Sequence, residues 1–335
     1  MLLKIRHWLK RYLIRRLAWL AAAVPGACLL MLIPLKIWPW DLARHFHLYW
    51  MAALAGLALI CCGFRWWRKA VLNALLLVIF AIPLRPYYIT APDAAPAVPA
   101  AADGKTPDQT ASPEFRFISF NLLLVERRTA ETLQALEAAD PDMLLLMEFT
   151  ADWRDALKPL LAKYPWKLGL PQSDSFGIWF GSKLPLEESR LVVVGDGPFP
   201  TVVARARVGQ HTVGIVGAHP MNPVFPSWSS IWRDQFEAYP AYVAETGGDA
   251  RLFAGDLNST PFAGTFRSFL KTTGLHDSAC GRGLMNTWSG PGLPFWLGLP
   301  IDHILVSDRL KVLDLKTGPK LGSDHRWLEA RLRVE

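Results

Sequence analysis

Six polar stretches of this 335-residue chain could do chemistry: Asn121, Glu148, His219, Asp256-Leu257-Asn258, Asp302 and Asp324-His325. Each ends, opens or interrupts an apolar run. Carboxylate and carboxamide oxygens with no cysteine among them suit a hard cation that keeps part of its water shell, such as Mg²⁺, with Mn²⁺ as the alternative ion. His219 and His325 add imidazoles, which exchange protons near neutral pH. Together these groups suit metal-assisted hydrolysis, most naturally of a phosphate ester. Taken singly, each has a plainer reading. A carboxylate after an apolar strand is ordinarily a solvated turn residue. Asp256-Leu257-Asn258 could cap a helix over residues 261–270. His276 and His303 read as structural, and His211 as an exposed turn residue.

The chemistry needs elements that gather these stretches. Residues 115–120 alternate as a strand does and end at Asn121. Residues 143–147 are a continuous apolar run, as expected of a strand buried on both faces, and end at Glu148. Residues 177–180 are strand-like. Residues 202–208 and 212–216 are joined by Gly209-Gln210-His211, a hairpin signal, and lead to His219. Residues 251–254 run into Asp256, 301–306 carry Asp302, and 327–334 follow His325. Residues 129–139 and 231–245 have helical patterns. Strands alternating with helices predict a layered α/β domain with large sheets. Strand ends that share a sheet edge would then converge on one site. The 221 residues from 115 to 335 suffice for such a core.

The first third of the chain reads differently. Residues 17–35 run 19 positions without a charge, 48–64 run 17, and 70–84 run 15 and extend past Arg85. A helix needs about 20 apolar residues to cross a bilayer, with a lower limit near 17. Three transmembrane helices are expected, at about 17–35, 48–64 and 70–86. Lys4, Arg6, Lys10, Arg11, Arg15 and Arg16 precede the first, and Arg65, Arg68 and Lys69 separate the second from the third. Lys/Arg-rich short loops stay cytoplasmic. This arrangement predicts a multi-pass protein of the inner or plasma membrane with an extracytoplasmic C-terminal domain. Tyr87 and Tyr88 would then join an aromatic belt at the outer interface. Two spans plus an interfacial helix would return that domain to the cytoplasm. Residues 87–113, with 8 Ala and 5 Pro, read as an extended linker, so the domains are 1–86, 87–113 and 114–335.

Composition excludes a disordered chain and weighs against a polyanion-binding one. Hydrophobic residues make up 51% and charged residues 19%, which rules out a mainly disordered chain. The net charge of +7 is confined to residues 1–114, which carry 13 Lys+Arg against 5 Asp+Glu. Residues 115–335 carry 23 against 24, and so lack a net cationic field to concentrate a polyanion. Only Cys280 lies in that part, so it has no disulfide partner there.

The motifs in series resemble the endonuclease/exonuclease/phosphatase superfamily, with the deoxyribonuclease-I-like fold. Phe117-Ile118-Ser119-Phe120-Asn121 is similar to its opening strand, and Asp140-Pro141-Asp142 through Met147-Glu148 to its "PD-hydrophobic-E" segment. Ser175-Phe176-Gly177-Ile178 through Lys183-Leu184-Pro185 resembles its central segment, and Ala218-His219-Pro220 its "T-H" strand end. Ala254-Gly255-Asp256-Leu257-Asn258-Ser259 resembles "GDFN", Ile301-Asp302-His303-Ile304-Leu305 resembles "ID-aromatic-hydrophobic", and Gly322-Ser323-Asp324-His325-Arg326 the terminal "SDH". The resemblance implies a four-layered α/β sandwich, two mixed sheets with outer helices. It implies Glu148 as principal Mg²⁺ ligand, assisted by Asp324 and Asn121. It implies that Asp302 orients His325 as the base, that Asp256 orients the water, that Asn258 donates to the phosphoryl oxygen, and that His219 serves the leaving group. Pro300 and Pro220 depart from the family pattern, and substrate-recognition insertions are missing.

The expected activity is that of a membrane-anchored, Mg-dependent phosphodiesterase or phosphatase. Its partners would be the bilayer and a phosphate ester, whether small molecule, lipid headgroup or nucleic acid; the sequence names no protein partner. Residues 290–299 form an apolar loop before Asp302 that could touch bilayer or a lipid substrate, or simply pack. The alternatives are a membrane-tethered nuclease on DNA or RNA and, from another class, an inactive membrane scaffold that retains the fold.

Overall fold

The computed structural model describes residues 2–89, 113–125 and 128–335, and it divides into two compact units, Met1–Pro86 and Tyr87–Glu335. The first unit is helical: α1 (Leu2–Met31), α2 (Trp40–His45), α3 (His47–Gly63) and α4 (Trp67–Ala81), which runs through a 3₁₀ turn at Ile82–Leu84 into α5 (Arg85–Tyr88), whose last two residues belong to the second unit. Cys28, Met31, Leu54, Leu76 and Phe80 pack together at its centre. The Arg44 guanidinium satisfies carbonyls left open at the end of α1, with Nη2 donating to Met31 O at 2.9 Å and Nη1 to Leu35 O at 2.9 Å.

Lys4–Met31 and Trp67–Tyr88 are long and apolar enough to cross a membrane, by length and composition. The expected third span is longer than its apolar run because the 3₁₀ turn accommodates Pro83 without ending the helical path. The middle helix α3 has 17 residues. At 1.5 Å per residue it reaches roughly 25 Å, short of a hydrocarbon core of about 30 Å. Of the three expected spans, 70–86 falls within a helix of the required length. The span at 17–35 is helical only as far as Met31, at the end of a longer helix that also takes in the basic residues before it. The span at 48–64 corresponds to α3, a helix too short for the core.

The second unit contains β1 (Glu114–Asn121), α6 (Thr129–Ala139), β2 (Met143–Met147), α7 (Ala151–Ala156), α8 (Lys158–Leu161), β3 (Trp166–Leu170), β4 (Ile178–Ser182), β5 (Leu186–Val193), β6 (Pro200–Val208), β7 (His211–Gly217), α9 (Pro226–Glu245), β8 (Ala250–Asp256), α10 (Gly264–Thr273), β9 (His276–Asp277), β10 (Asp302–Val306), β11 (Leu310–Thr317) and β12 (Leu328–Val334). They form two six-stranded mixed sheets, ordered β11-β12-β1-β2-β4-β3 and β5-β6-β7-β8-β10-β9. Alternation along each strand sorts side chains into layers. In β2, Met143, Leu145 and Met147 face the second sheet and meet Val202, Ile215, Leu252 and Ile304. Leu144 and Leu146 point the other way, onto Leu136 of α6, Trp153 of α7 and Leu160 of α8. On the far side, Val216, Phe253 and Leu305 pack against Trp232, Phe236 and Tyr239 of α9 and Phe266 and Phe269 of α10. The result is the expected four-layered α/β sandwich.

Each sheet is built around one parallel pair, β1 with β2 and β7 with β8. The flanking β12 and β10 are antiparallel to β1 and β8, so their beginnings lie beside those strands' ends. All six sequence stretches are therefore at one end of the sandwich.

Several local expectations change. His211 opens β7 rather than occupying the turn. Asp256-Leu257-Asn258 caps no helix, since α10 begins at Gly264 after Ala263. Tyr87, expected in the linker and an aromatic belt, is buried in the second unit, where its hydroxyl donates to Asp277 Oδ2 at 3.2 Å and its carbonyl accepts from Gly283 N at 2.7 Å. Residues 90–112 of the expected linker lie outside the described residues.

Candidate active site

The end of β1 delivers Asn121, whose Nδ2 donates to Glu148 Oε1 at 3.1 Å and to Asp256 Oδ2 at 3.0 Å. This one amide joins groups from both sheets. Glu148 follows β2 with φ of +53°, a left-handed conformation that a glutamate adopts only when its surroundings impose it. The constraint is visible: Glu148 Oε2 accepts from Leu124 N at 2.5 Å, and the neighbouring Leu123 carbonyl accepts from Trp153 Nε1 at 2.8 Å. Trp153 is held in turn by α7, whose Thr150 side chain caps it by accepting from Trp153 N at 3.0 Å.

The second sheet supplies His219, Asp256 and Asp302. Gly255 has φ of +147°, and a Cβ there would lie 1.8 Å from Ala218 O. Only glycine permits this approach of the β7 and β8 ends, which sets His219 Nε2 at 3.4 Å from Asp256 Oδ2. Asp302 is the register partner of Asp256 across the β8–β10 ladder. Its Oδ2 accepts from His325 Nδ1 at 2.8 Å, while His325 Nε2 lies 3.5 Å from Asp256 Oδ2. Asp256, Asp302 and His325 are all buried, and one potential ligand atom from each lies within 4.8 Å of the others.

Ser323 fastens His325 to the first sheet: its Oγ donates to Asn121 O at 2.8 Å and accepts from His325 N at 2.9 Å. Asp324 Oδ2 accepts from Trp288 Nε1 at 3.0 Å, and its buried Oδ1 has no hydrogen-bond partner. Asn258 adopts φ of +48°; its backbone N donates to Asp256 Oδ1 at 2.9 Å and its Nδ2 to Pro220 O at 3.0 Å. Asn121, Glu148, His219, Asp256, Asp302 and His325 thus form one connected cluster, with Asn258 and Asp324 on its border. Sequence reasoning missed Trp153, Thr287 and Trp288. Thr287 Oγ1 accepts from Asp302 N at 3.2 Å. None of the three carries a motif, because each acts through the path of a loop. His303 and His276 have carboxylate partners away from the cluster, at Asp277 and Asp308.

Burial opposes a charge on His325, but Asp302 and Asp256 outweigh it and push the imidazole up to about 10. Burial likewise opposes a charge on His219, and Asp256 again prevails and raises it. For Asp256, burial is outweighed by His325 and His219, which hold its carboxyl below the usual range. Asp302 moves the other way, with burial the main cause. A histidine raised above its unfolded value stabilises the fold fully below that value, about 6.5, and the contribution is lost as pH rises through the folded value. The protein freed of divalent ions should therefore lose thermal stability between pH 7 and 10. His325→Asn should flatten that slope, and an equal slope in thermal melts of both proteins would contradict this electrostatic account.

The family model for the endonuclease/exonuclease/phosphatase family matches residues 118–325, a stretch that includes every group of the cluster. The chain belongs to this family. Endonuclease/exonuclease/phosphatase family members are in general hydrolases of phosphoesters. Among solved structures, the chain is similar to the endonuclease/exonuclease/phosphatase from Bacteroides vulgatus, with 16% identity over 66% of this chain and 99% of that one and a TM-score of 0.57. It is similar to D. rerio TDP2 complexed with single-strand DNA product, with 15% identity, the same coverages and a TM-score of 0.54. It is also similar to sphingomyelinase C from Streptomyces griseocarneus, with 18% identity, again 66% and 99% coverage, and a TM-score of 0.51. At these identities the likeness is one of fold. A search of curated proteins finds no match.

Proposed function

We propose that this chain is a membrane-anchored, divalent-cation-dependent phosphodiesterase or phosphatase. The observation that carries the reading is the buried array Asp302–His325–Asp256, joined through Asn121 to Glu148. The donor set fits a hard cation such as Mg²⁺: carboxylate and carboxamide oxygens without thiolate, and a buried Asp324 oxygen with no partner. Glu148 would hold the ion, with Asp324 and Asn121 assisting. Asp256, Asp302 and His325 could also be read as an ion's cage, but His325 Nδ1 already serves Asp302, so an acid–base array explains this trio better. When bound, the cation would polarise the phosphoryl oxygen and lower the proton affinity of the neighbouring imidazole.

The chain's own groups would then divide the work. Asp302 fixes the His325 tautomer by accepting from Nδ1, which turns Nε2 toward Asp256. Asp256 orients a water that gives its proton to Nε2. Asn258, braced by Pro220 O through one Nδ2 hydrogen, has a second for the phosphoryl oxygen. His219, whose hold on a proton Asp256 strengthens, would serve the leaving oxygen. Anchoring would rest on Lys4–Met31 and Trp67–Tyr88; were the 17-residue α3 also to cross, by local thinning of the bilayer, the catalytic unit would lie outside. A small or lipidic phosphoester suits the second unit better than duplex DNA, which is bound through many Lys/Arg contacts that a near-neutral domain lacks in surplus.

The test is hydrolysis by the full chain in detergent of a chromogenic phosphodiester, phospholipid and plasmid DNA, each with Mg²⁺ and with chelator. Mg²⁺-dependent turnover is expected, and Glu148→Gln should need at least about tenfold more Mg²⁺ for half-maximal rate. No turnover on any substrate, with a melting temperature indifferent to Mg²⁺, would leave a scaffold instead. Turnover of plasmid DNA alone would make the chain a nuclease.

A further inference from the structure

Among the described residues after 113, nine large apolar side chains are exposed, and five of them, Val224, Phe225, Trp228, Leu293 and Trp296, lie on two segments that depart from the candidate site. The first segment begins at His219-Pro220, whose carbonyl is held by Asn258, and runs into the first turn of α9. There the Phe225 and Trp228 rings meet edge to face at 4.7 Å. The second segment begins at Trp288, which is bonded to Asp324 and bridged to His325.

The second segment is closed and braced. Trp288 N donates to Leu299 O at 3.1 Å and Leu299 N to Trp288 O at 2.8 Å, which pinches the loop at its neck. A Cβ at Gly298 would lie 2.0 Å from Trp288 O, so the pinch requires that glycine. Ser289 Oγ donates to Leu293 O at 2.5 Å, and a 3₁₀ turn covers Phe295–Leu297. Arg326 lies 4.5 Å from the Phe295 ring centroid and Lys320 5.9 Å, so two cations stand against this ring. Trp296, one position on, is nonetheless 75% exposed.

A loop pinned this firmly and tipped with an open indole wastes apolar area unless something covers it. We infer that these two segments are a docking surface for a lipid bilayer, so that the site takes phosphoesters presented at a lipid–water interface. Indoles favour that interface, where the ring is shielded and the N–H stays wet. Arg326 and Lys320 beside Phe295 match an anionic headgroup layer. The same chain carries two helices of membrane-crossing length, so a bilayer is the surface it would meet. Exposed aromatic rings can also stack on unpaired bases. Against that occupant, Val224 and Leu293 offer no stacking face, and the domain holds 24 acidic to 23 basic residues from 115 onward. The substrate half of this inference rests on the hydrolase reading above; the docking half does not.

The experiment uses the full chain in proteoliposomes of phosphatidylcholine and phosphatidylglycerol. In one arm, photoreactive p-benzoyl-phenylalanine replaces Trp296 or, as an exposed control on an edge strand, Val193, which is 61% exposed. Light should yield a lipid adduct at 296 and little at 193. In the other arm, the double variant Phe225→Ser/Trp296→Ser is compared with the parent on a bilayer-embedded phosphodiester and on a soluble chromogenic one. The embedded rate should fall at least tenfold and the soluble rate change less than twofold. Absence of an adduct at 296, equal adducts at both positions, equal losses on both substrates, or a selective loss on single-stranded oligonucleotide would overturn the inference. An adduct at 296 in the photoreactive variant, with no phosphoester hydrolysed by the parent chain, would keep the docking surface and refute the hydrolase reading instead.

Discussion

His325→Asn should lower kcat/KM on any accepted phosphoester by about 10²–10⁴-fold without unfolding the protein. Within the cluster the imidazole touches carboxylates from two strands of the second sheet, with Nδ1 at 2.8 Å from Asp302 and Nε2 at 3.5 Å from Asp256. Its backbone is held independently, through Ser323 Oγ and the bridge to Trp288, so losing the ring leaves the chain path in place. Asp302→Asn should cause a loss of similar order, because an amide can present a donor to Nδ1 and so favour the wrong tautomer. If the two residues act as a unit, the double variant should be little worse than the poorer single one. Steady-state kinetics at saturating Mg²⁺, with near-UV circular dichroism as the folding control, reads all three. Activity of His325→Asn within threefold of the parent would remove the imidazole from the reaction.

Gly255→Ala should be the most damaging small substitution in the second unit. The added methyl would lie 1.8 Å from Ala218 O, with backbone rather than a movable side chain as the obstacle, and φ of +147° is unsuited to alanine in any case. Overpacking and backbone strain each cost roughly 1–3 kcal/mol, so a loss of about 3 kcal/mol or more is expected. Residual folded protein should also lose activity, because relieving the clash moves β7 from β8 and His219 from Asp256. Gly274→Ala is the control: it shares a positive φ, +69°, but meets nothing within 4 Å, and should cost only about 1 kcal/mol. Equal melting temperatures for the two variants would mean that the close approach carries no weight.

The strands readable from sequence are those covered on both sides. Residues 143–147 spell Met-Leu-Leu-Leu-Met and form β2, buried throughout. The strands that escaped notice are β3, β5, β9 and β11, and these are the four sheet edges. β5 spells Leu-Glu-Glu-Ser-Arg-Leu-Val-Val and β3 is mostly exposed. Edge strands carry charge to discourage pairing with other chains, which erases the pattern by which strands are recognised. α9 begins at Pro226, five residues before its helical pattern, because proline fits the first turn of a helix and reads as a break only when taken as interior. The site was legible where a polar residue ends a core strand. It was illegible at Trp288, in a loop, and at Trp153, on the six-residue helix α7, whose indoles reach Asp324 and the Leu123 carbonyl with no motif to announce them.

One feature of the topology bears on how the centre comes into being. β12 is an interior strand, inserted between β11 and β1, although about two hundred residues separate it from β1 along the chain. During synthesis β1 must wait with that flank bare while the second sheet is translated, and Asp324 and His325 emerge only just ahead of the strand that secures them. Whatever reaction the centre runs, a polypeptide still growing toward β12 is catalytically silent and adhesive along one seam. Prematurely terminated products should accumulate as aggregates, never as weak enzymes.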